Sequence, residues 1–282
     1  MRAIVLDSHG RPRMAEVDEP DGEGSPLEVL ACGLCGSDVE KLSAAHAGVV
    51  LGHEVAARTG DGKLVAPIHH APCGECALCT AGHESLCPDF GALTILPGGF
   101  AERVSATAGW VEIPDGVTPA VATMTEPLAC VLRGVRLVPR GSVLIVGHGF
   151  VGHLFAAVLR HRGDEVYAVD TDPRRHLSEP VGPVDAAILC GAGGADLAFR
   201  WTRPGGTILV FANAGPIPAA PVYRGELTVV GVRSSSPETM REAASLLSVL
   251  RLPEPAVLPL ERFREGLDLF RRHEVLKVVF TP

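Results

Sequence analysis

The sequence predicts an α/β protein of two domains, one rich in short β-strands and one built on a doubly wound parallel sheet. Three observations carry this. Up to about Thr123 the chain reads as short apolar runs broken by glycine and proline. From Glu126 onward, fully apolar strands alternate with glycine turns and an apolar helix, the pattern of a parallel βαβ unit. Within the first region, four of the eight cysteines fall in fifteen residues, Cys73 to Cys87. The expected division is 1–123 with 255–282 for the β-rich domain, and 124–254 for the α/β domain.

In the first domain "AIVLD", "LEVLACGL" and "GHEVAAR" read as strands, with the cysteine lobe as an inserted loop. "GSVLIVGHGFVGHLFAAVLRHRGDEVYAVDTD" then gives strand, turn, helix and strand. "VDAAILC", "GTILVFA" and "LTVVGV" supply further apolar strands. "SPETMREAASLLSVLR" reads as an amphipathic helix capped by Ser236, with Pro237 in its first turn. "ERFREGLDLFRRHEVLKVVFTP" adds a last helix and a closing strand. Apolar residues at 46% allow a real core, and a formal charge of −8 speaks against nucleic acid or an anionic membrane as partner. The first residues lack the apolar stretch of a secretory signal, and no apolar run reaches bilayer-spanning length. A soluble, cytoplasmic protein is expected.

In a reducing compartment clustered thiols hold metal more often than they pair as disulfides. Cys73, Cys76, Cys79 and Cys87 follow the pattern C-x2-C-x2-C-x7-C, with Gly74 and Gly82 easing the backbone around an ion. Four thiolates suit a tetrahedral structural zinc. Short cysteine spacings also serve iron–sulfur clusters, which leaves that alternative open.

Gly147-His-Gly149-Phe150-Val151-Gly152 forms a G-x-G-x-x-G directly after a strand and at the start of a helix. The pattern alone is weak; in that context it marks a pyrophosphate turn, where the helix amides and dipole face an anion. Asp170 ends the next strand, where a carboxylate would take the ribose hydroxyls. An acidic group there disfavours a 2′-phosphate, so NAD is expected over NADP, with Arg174 and Arg175 keeping NADP as the lesser alternative.

Three further fragments gain meaning from their order. "GLCGSD" carries Cys35, Ser37 and Asp38; "GHE" carries His53 and Glu54; "EPLA" opens with Glu126. Together with the cysteine lobe, "GGFAE", "GHGFVG" and the terminal "LKVVF", they make the chain resemble the zinc-dependent medium-chain dehydrogenases, in the alcohol and polyol branch close to sorbitol dehydrogenase. The resemblance covers nearly the whole chain and implies a GroES-like catalytic domain beside a Rossmann domain. It implies a catalytic zinc on Cys35 and His53, with Glu54 a direct or indirect ligand and Glu126 at the remaining position. Asp38 would orient His53, Ser37 would pass the substrate proton outward, and Glu40 stands where many relatives relay it. Lys277 matches a position that contacts the cofactor pyrophosphate. Two zincs per chain, NAD, a small alcohol or ketone substrate and a homodimer or homotetramer follow from the same resemblance.

Some features depart from that pattern. Only thirteen residues separate Asp170 from Val184, so the sheet is expected to lack an edge strand beyond the one ending at Asp170. His69 and His70 precede the lobe and could reach substrate. Cys32 and Cys130 read as packed thiols, and Cys190 as core or as lining the cofactor cleft. The expected activity is hydride transfer between NAD and a secondary alcohol of a polyol, sugar or cyclitol. One alternative keeps NAD tightly bound for a redox-neutral epimerisation or elimination; another is a non-catalytic zinc-stabilised module.

Overall fold

The computed structural model describes residues 1–20, 24–42 and 46–282, which form two compact units. The first comprises Met1–Ala129, Ser235–Val249 and Glu254–Pro282; the second comprises Cys130–Ser234 and Leu250–Pro253. The division thus falls after residue 129 rather than 123. The capped helix Pro237–Leu246, expected in the nucleotide domain, groups with the β-rich unit. Its cap is as the sequence predicts, the Ser236 hydroxyl accepting the Thr239 amide at 3.3 Å.

The first unit is organised on the nine-residue strand Ser25–Gly33. This strand pairs antiparallel with Glu54–Arg58, with Val278–Thr281 and, through its first half, with Arg103–Ala106. A register shift between Val29 and Ala31 bends it, as an unpaired extra residue does in an antiparallel ladder. Phe100, Phe263 and Phe280 fill the core against it, their ring centroids 4.6 to 5.8 Å apart, the spacing at which aromatic edges and faces attract. The small residues Ala31, Cys32 and Gly33 at the strand's buried end leave room for what crosses them.

The second unit is a five-stranded sheet, parallel throughout. Its order is Glu165–Val169, Ser142–Val146, Val184–Leu189, Thr202–Val210 and Thr228–Gly231. Ser142–Val146 and Val184–Leu189 bury consecutive residues, as does the Ile208–Leu209 end of the next strand, which explains their apolar runs. Helix Phe150–Arg162 follows the first of them and ends on Gly163 in the left-handed conformation. Glu165–Val169 is the sheet's edge among the described residues, as the short span to Val184 predicts. The returning chain covers part of that edge. Leu177 donates its amide to Ala168 O at 3.0 Å and Ser178 bridges Ala168, which blunts an otherwise open strand. Among the described residues no helix is long and apolar enough to cross a membrane.

Candidate functional site

Cys35 sits at the N-cap of the short helix Gly36–Lys41, delivered there by strand Ser25–Gly33. Asp38, one turn along and buried, ties the site together. Its Oδ2 accepts the Cys35 amide at 3.0 Å, and its Oδ1 accepts the Gly52 amide at 3.3 Å. The same Oδ1 lies 3.3 Å from His53 Nδ1. With Nδ1 directed to a carboxylate, His53 keeps Nε2 for another partner. Burial alone would depress the His53 pKa, but the charge and hydrogen bond of Asp38 carry it well above the usual value. Burial likewise opposes ionisation of Asp38, yet His53 and the two amides hold its pKa below the ordinary carboxylate value.

Glu54 begins the next strand and is buried. One ligand atom each from Cys35, His53 and Glu54 lies within 4.8 Å of the others. The Glu54 carboxyl is pushed up by burial and by the neighbouring Glu126, against the pull of Lys277 and His53. Lys277 is only 2% exposed. Its ammonium is paired with Glu54 Oε2 and donates to Leu34 O at 3.0 Å. A side chain on Gly33 would overlap the Glu54 carboxylate and approach the lysine stem. The amine thus lies buried in the first unit, beside a carboxylate and a carbonyl.

Glu126 stands in the first turn of helix Thr125–Val135, where Ser235 donates its hydroxyl to Oε1 at 3.1 Å. It lies outside the Cys35–His53–Glu54 set. Ser235 is a partner the sequence reading missed; 109 residues separate the two. Ser37 is half-buried and donates to Cys35 Sγ at 3.4 Å, whereas Glu40 is exposed on the same helix. His69 stacks on His53 with centroids 4.5 Å apart, and the column continues through His70 to Phe90 at 3.9 Å per step. Burial first, then the positive neighbours His53, His70 and Lys41, push His69 down to about 2, which keeps its ring neutral. Cys32 packs in the core with its thiol pushed well up by burial.

The cysteine quartet is a second ligand set. Sγ–Sγ distances are 3.5 Å for Cys76–Cys79, 3.6 Å for Cys73–Cys87 and 3.9 Å for Cys73–Cys79. These exceed by far the roughly 2.05 Å of a disulfide. They match the edge of about 3.8 Å expected for a tetrahedron of sulfurs around zinc at about 2.3 Å. With all four sulfurs within 4.8 Å of one another, the space holds one ion rather than a cluster of several irons. The Cys73 and Cys76 amides each donate to a lobe sulfur at 3.4 Å, a stabilisation that thiolates require.

In the second unit the G-x-G-x-x-G turn has the predicted form. Gly147 has φ +94°, open only at a cost to other residues, and Gly149 is the N-cap of helix Phe150–Arg162. A side chain on Gly152 would collide with Gly147 O. Phe150 and Val151 lie half-buried in the first helical turn. Asp170 stands beside the turn: its Oδ2 accepts the His148 amide at 2.7 Å and its Oδ1 the Asp172 amide at 2.8 Å. Arg175 Nη1 is 3.9 Å from where a Gly149 side chain would begin. The bare glycine floor, the helix N-terminus and the adjacent carboxylate fit a dinucleotide.

A β-rich unit carrying two metal-ligand sets and a parallel α/β unit carrying a pyrophosphate turn define the class: metal-dependent oxidoreductases that work with a dinucleotide. Residues 25–115 match the family described as the alcohol dehydrogenase GroES-like domain. L-threonine 3-dehydrogenase of Bacillus velezensis is 30% identical, the match covering 91% of this chain and 90% of the relative. Sorbitol dehydrogenase of Halalkalibacterium halodurans is 26% identical over 341 aligned positions, covering 100% of this chain and 99% of that protein. That span exceeds the 282 residues present here, so the relative carries segments this chain lacks. Among solved structures, the alcohol dehydrogenase TADH from Thermus sp. ATN1 superposes with a TM-score of 0.84 at 25% identity, with full coverage of both chains. The chain belongs to the zinc-dependent medium-chain dehydrogenase family.

Proposed function

We propose that this protein is an oxidoreductase that transfers hydride between NAD and a secondary alcohol of a polyol, sugar or cyclitol, using zinc at Cys35, His53 and Glu54. The observation that carries this reading is the convergence of one thiol, one imidazole and one carboxylate within 4.8 Å, an incomplete set that leaves room for substrate. Zinc there would supply a Lewis acid that acidifies the alcohol, and NAD the hydride acceptor. The chain's own residues do the rest. Asp38, 3.3 Å from His53 Nδ1, would orient the ring and leave Nε2 for the metal. Ser37, which donates to Cys35 Sγ, would take the hydroxyl proton outward, with exposed Glu40 as the next acceptor on that helix. With Glu54 acting indirectly through its pairing with Lys277, Glu126, steadied by Ser235, would fill the remaining protein position. Cys73, Cys76, Cys79 and Cys87 would hold a second, structural zinc. The turn Gly147–Gly152 would seat the pyrophosphate and Asp170 the ribose, with Arg175 alongside. Relatives named for sorbitol and for the 3-position of L-threonine support a secondary alcohol. Assembly as a dimer or tetramer and action in the cytoplasm complete the proposal.

The test is zinc per chain by elemental analysis, paired with NADH formation from a panel of polyols. Wild type should carry two zincs; Cys35→Ala should carry one, remain folded and lose turnover. A Cys35→Ala protein that keeps both zincs and its activity would refute the assignment.

A further inference from the structure

His148 is the first variable residue of the glycine turn, and nothing in hydride transfer uses it. It is nonetheless 2% exposed and engaged at both its backbone and its ring. Its amide donates to Asp170 Oδ2 at 2.7 Å, and its Nδ1 lies 2.6 Å from Arg175 O. A carbonyl only accepts, so Nδ1 carries the proton and the tautomer is fixed. Nε2 is then a bare acceptor, and it is buried without a hydrogen-bond partner. The ring stacks on His153 with centroids 3.7 Å apart and planes 8° apart. His153 is held in turn by its own Nδ1, 2.9 Å from Gly149 O.

What these bonds hold is the segment between Asp170 and Val184. No helix or strand occupies it, so nothing regular buttresses the residues beside the turn. A buried imidazole with one nitrogen unsatisfied carries a desolvation cost, and the bonds made by its other nitrogen and its amide fall on the two ends of the stretch 170–175. We propose that His148 is a positioning residue that latches Asp170–Arg175 onto the glycine turn and so shapes the ribose-binding end of the dinucleotide site. The inference rests on the NAD reading above. Burial, which outweighs the Arg175 carbonyl, lowers the His148 pKa to about 4, so the latch stays neutral at ordinary pH.

His148→Phe keeps the ring and the stacking but removes the Nδ1 donor; His148→Asn restores a donor at the same branch point without the ring. NADH affinity is read by fluorescence titration, steady-state constants with NAD, and amide exchange over 171–178 in the cofactor-free protein. In His148→Phe the Kd for NADH should rise about tenfold, the loss of one hydrogen bond to a placed group. The KM for NAD should rise with kcat unchanged, and exchange over 171–178 should accelerate. His148→Asn should recover to within about twofold of wild type on all of these. If the Phe variant fails to fold, His148→Leu carries the same test. Phe binding as tightly as wild type with unaltered exchange, or Asn as impaired as Phe, would overturn the inference. Wild type binding neither NADH nor NADPH would sink the functional reading and with it the cofactor role, leaving exchange alone to decide the latch.

Discussion

At the scale of single residues, Asp38 is the group on which the metal-ligand set depends without itself belonging to it. One carboxylate accepts from Cys35 and Gly52 and faces His53 Nδ1. An amide in its place can still meet one of these partners but cannot carry the charge that orients the imidazole. Asp38→Asn should therefore weaken zinc at Cys35 and His53 by about 10- to 100-fold, the usual effect of losing such a partner, while the cysteine quartet keeps its ion. Competition with a fluorescent chelator checks it; two zincs leaving together, or neither loosening, would speak against this role. Asp38 was legible in the sequence because it sits three residues after Cys35. Lys277 was not. Its pairing with Glu54 has no local signature and depends on Gly33, whose missing side chain lets a carboxylate and an amine 223 residues apart meet. Ser235 escaped for the same reason, since a hydroxyl donor far along the chain has no local signature.

At the scale of elements, the cysteine lobe and the glycine turn were readable because their chemistry is local: spacing alone brings four sulfurs, or the three glycines of one turn, together. The missing strand was readable by length. What length could not say is how the edge of the shortened sheet is closed, and there the structure adds the Ala168–Ser178 bridge and the histidine pair at the turn. The pair has a consequence for stability. His148 is held neutral in the fold with a pKa lowered to about 4, against 6.5 for a free imidazole. Between those values the unfolded chain binds the extra proton, so stability falls as pH drops from 6.5 towards 4 and the effect is spent below that. Urea midpoints of wild type and His148→Asn, compared across this range, should differ in slope, with the variant flatter. Zinc loss on acidification is common to both proteins and drops out of the difference; identical slopes would mean that His148 titrates normally.

At the scale of the whole molecule, each unit has its own core and its own kind of ligand set: metal donors in the first, the dinucleotide turn in the second. Ligands stabilise whatever state binds them, and the stabilisation is felt where local opening would break the site. Chelation should therefore act on a different part of the chain from the cofactor. Removing metal should speed amide exchange across 73–87 and around 35–38 and 52–54, where thiols and carboxylates would be left facing one another. Adding NADH should slow exchange at 147–152 and 168–175 and leave the cysteine lobe unaffected. The quartet makes the sharper half of this contrast, because the lobe has little apolar burial of its own: within 73–87 only Ser85 and Cys87 are buried. A segment so exposed has little besides metal to offset its chain entropy. Exchange mapped by mass spectrometry with and without chelator decides the matter. Protection in the lobe that survives full removal of zinc would mean that the sulfurs are packed for some other reason.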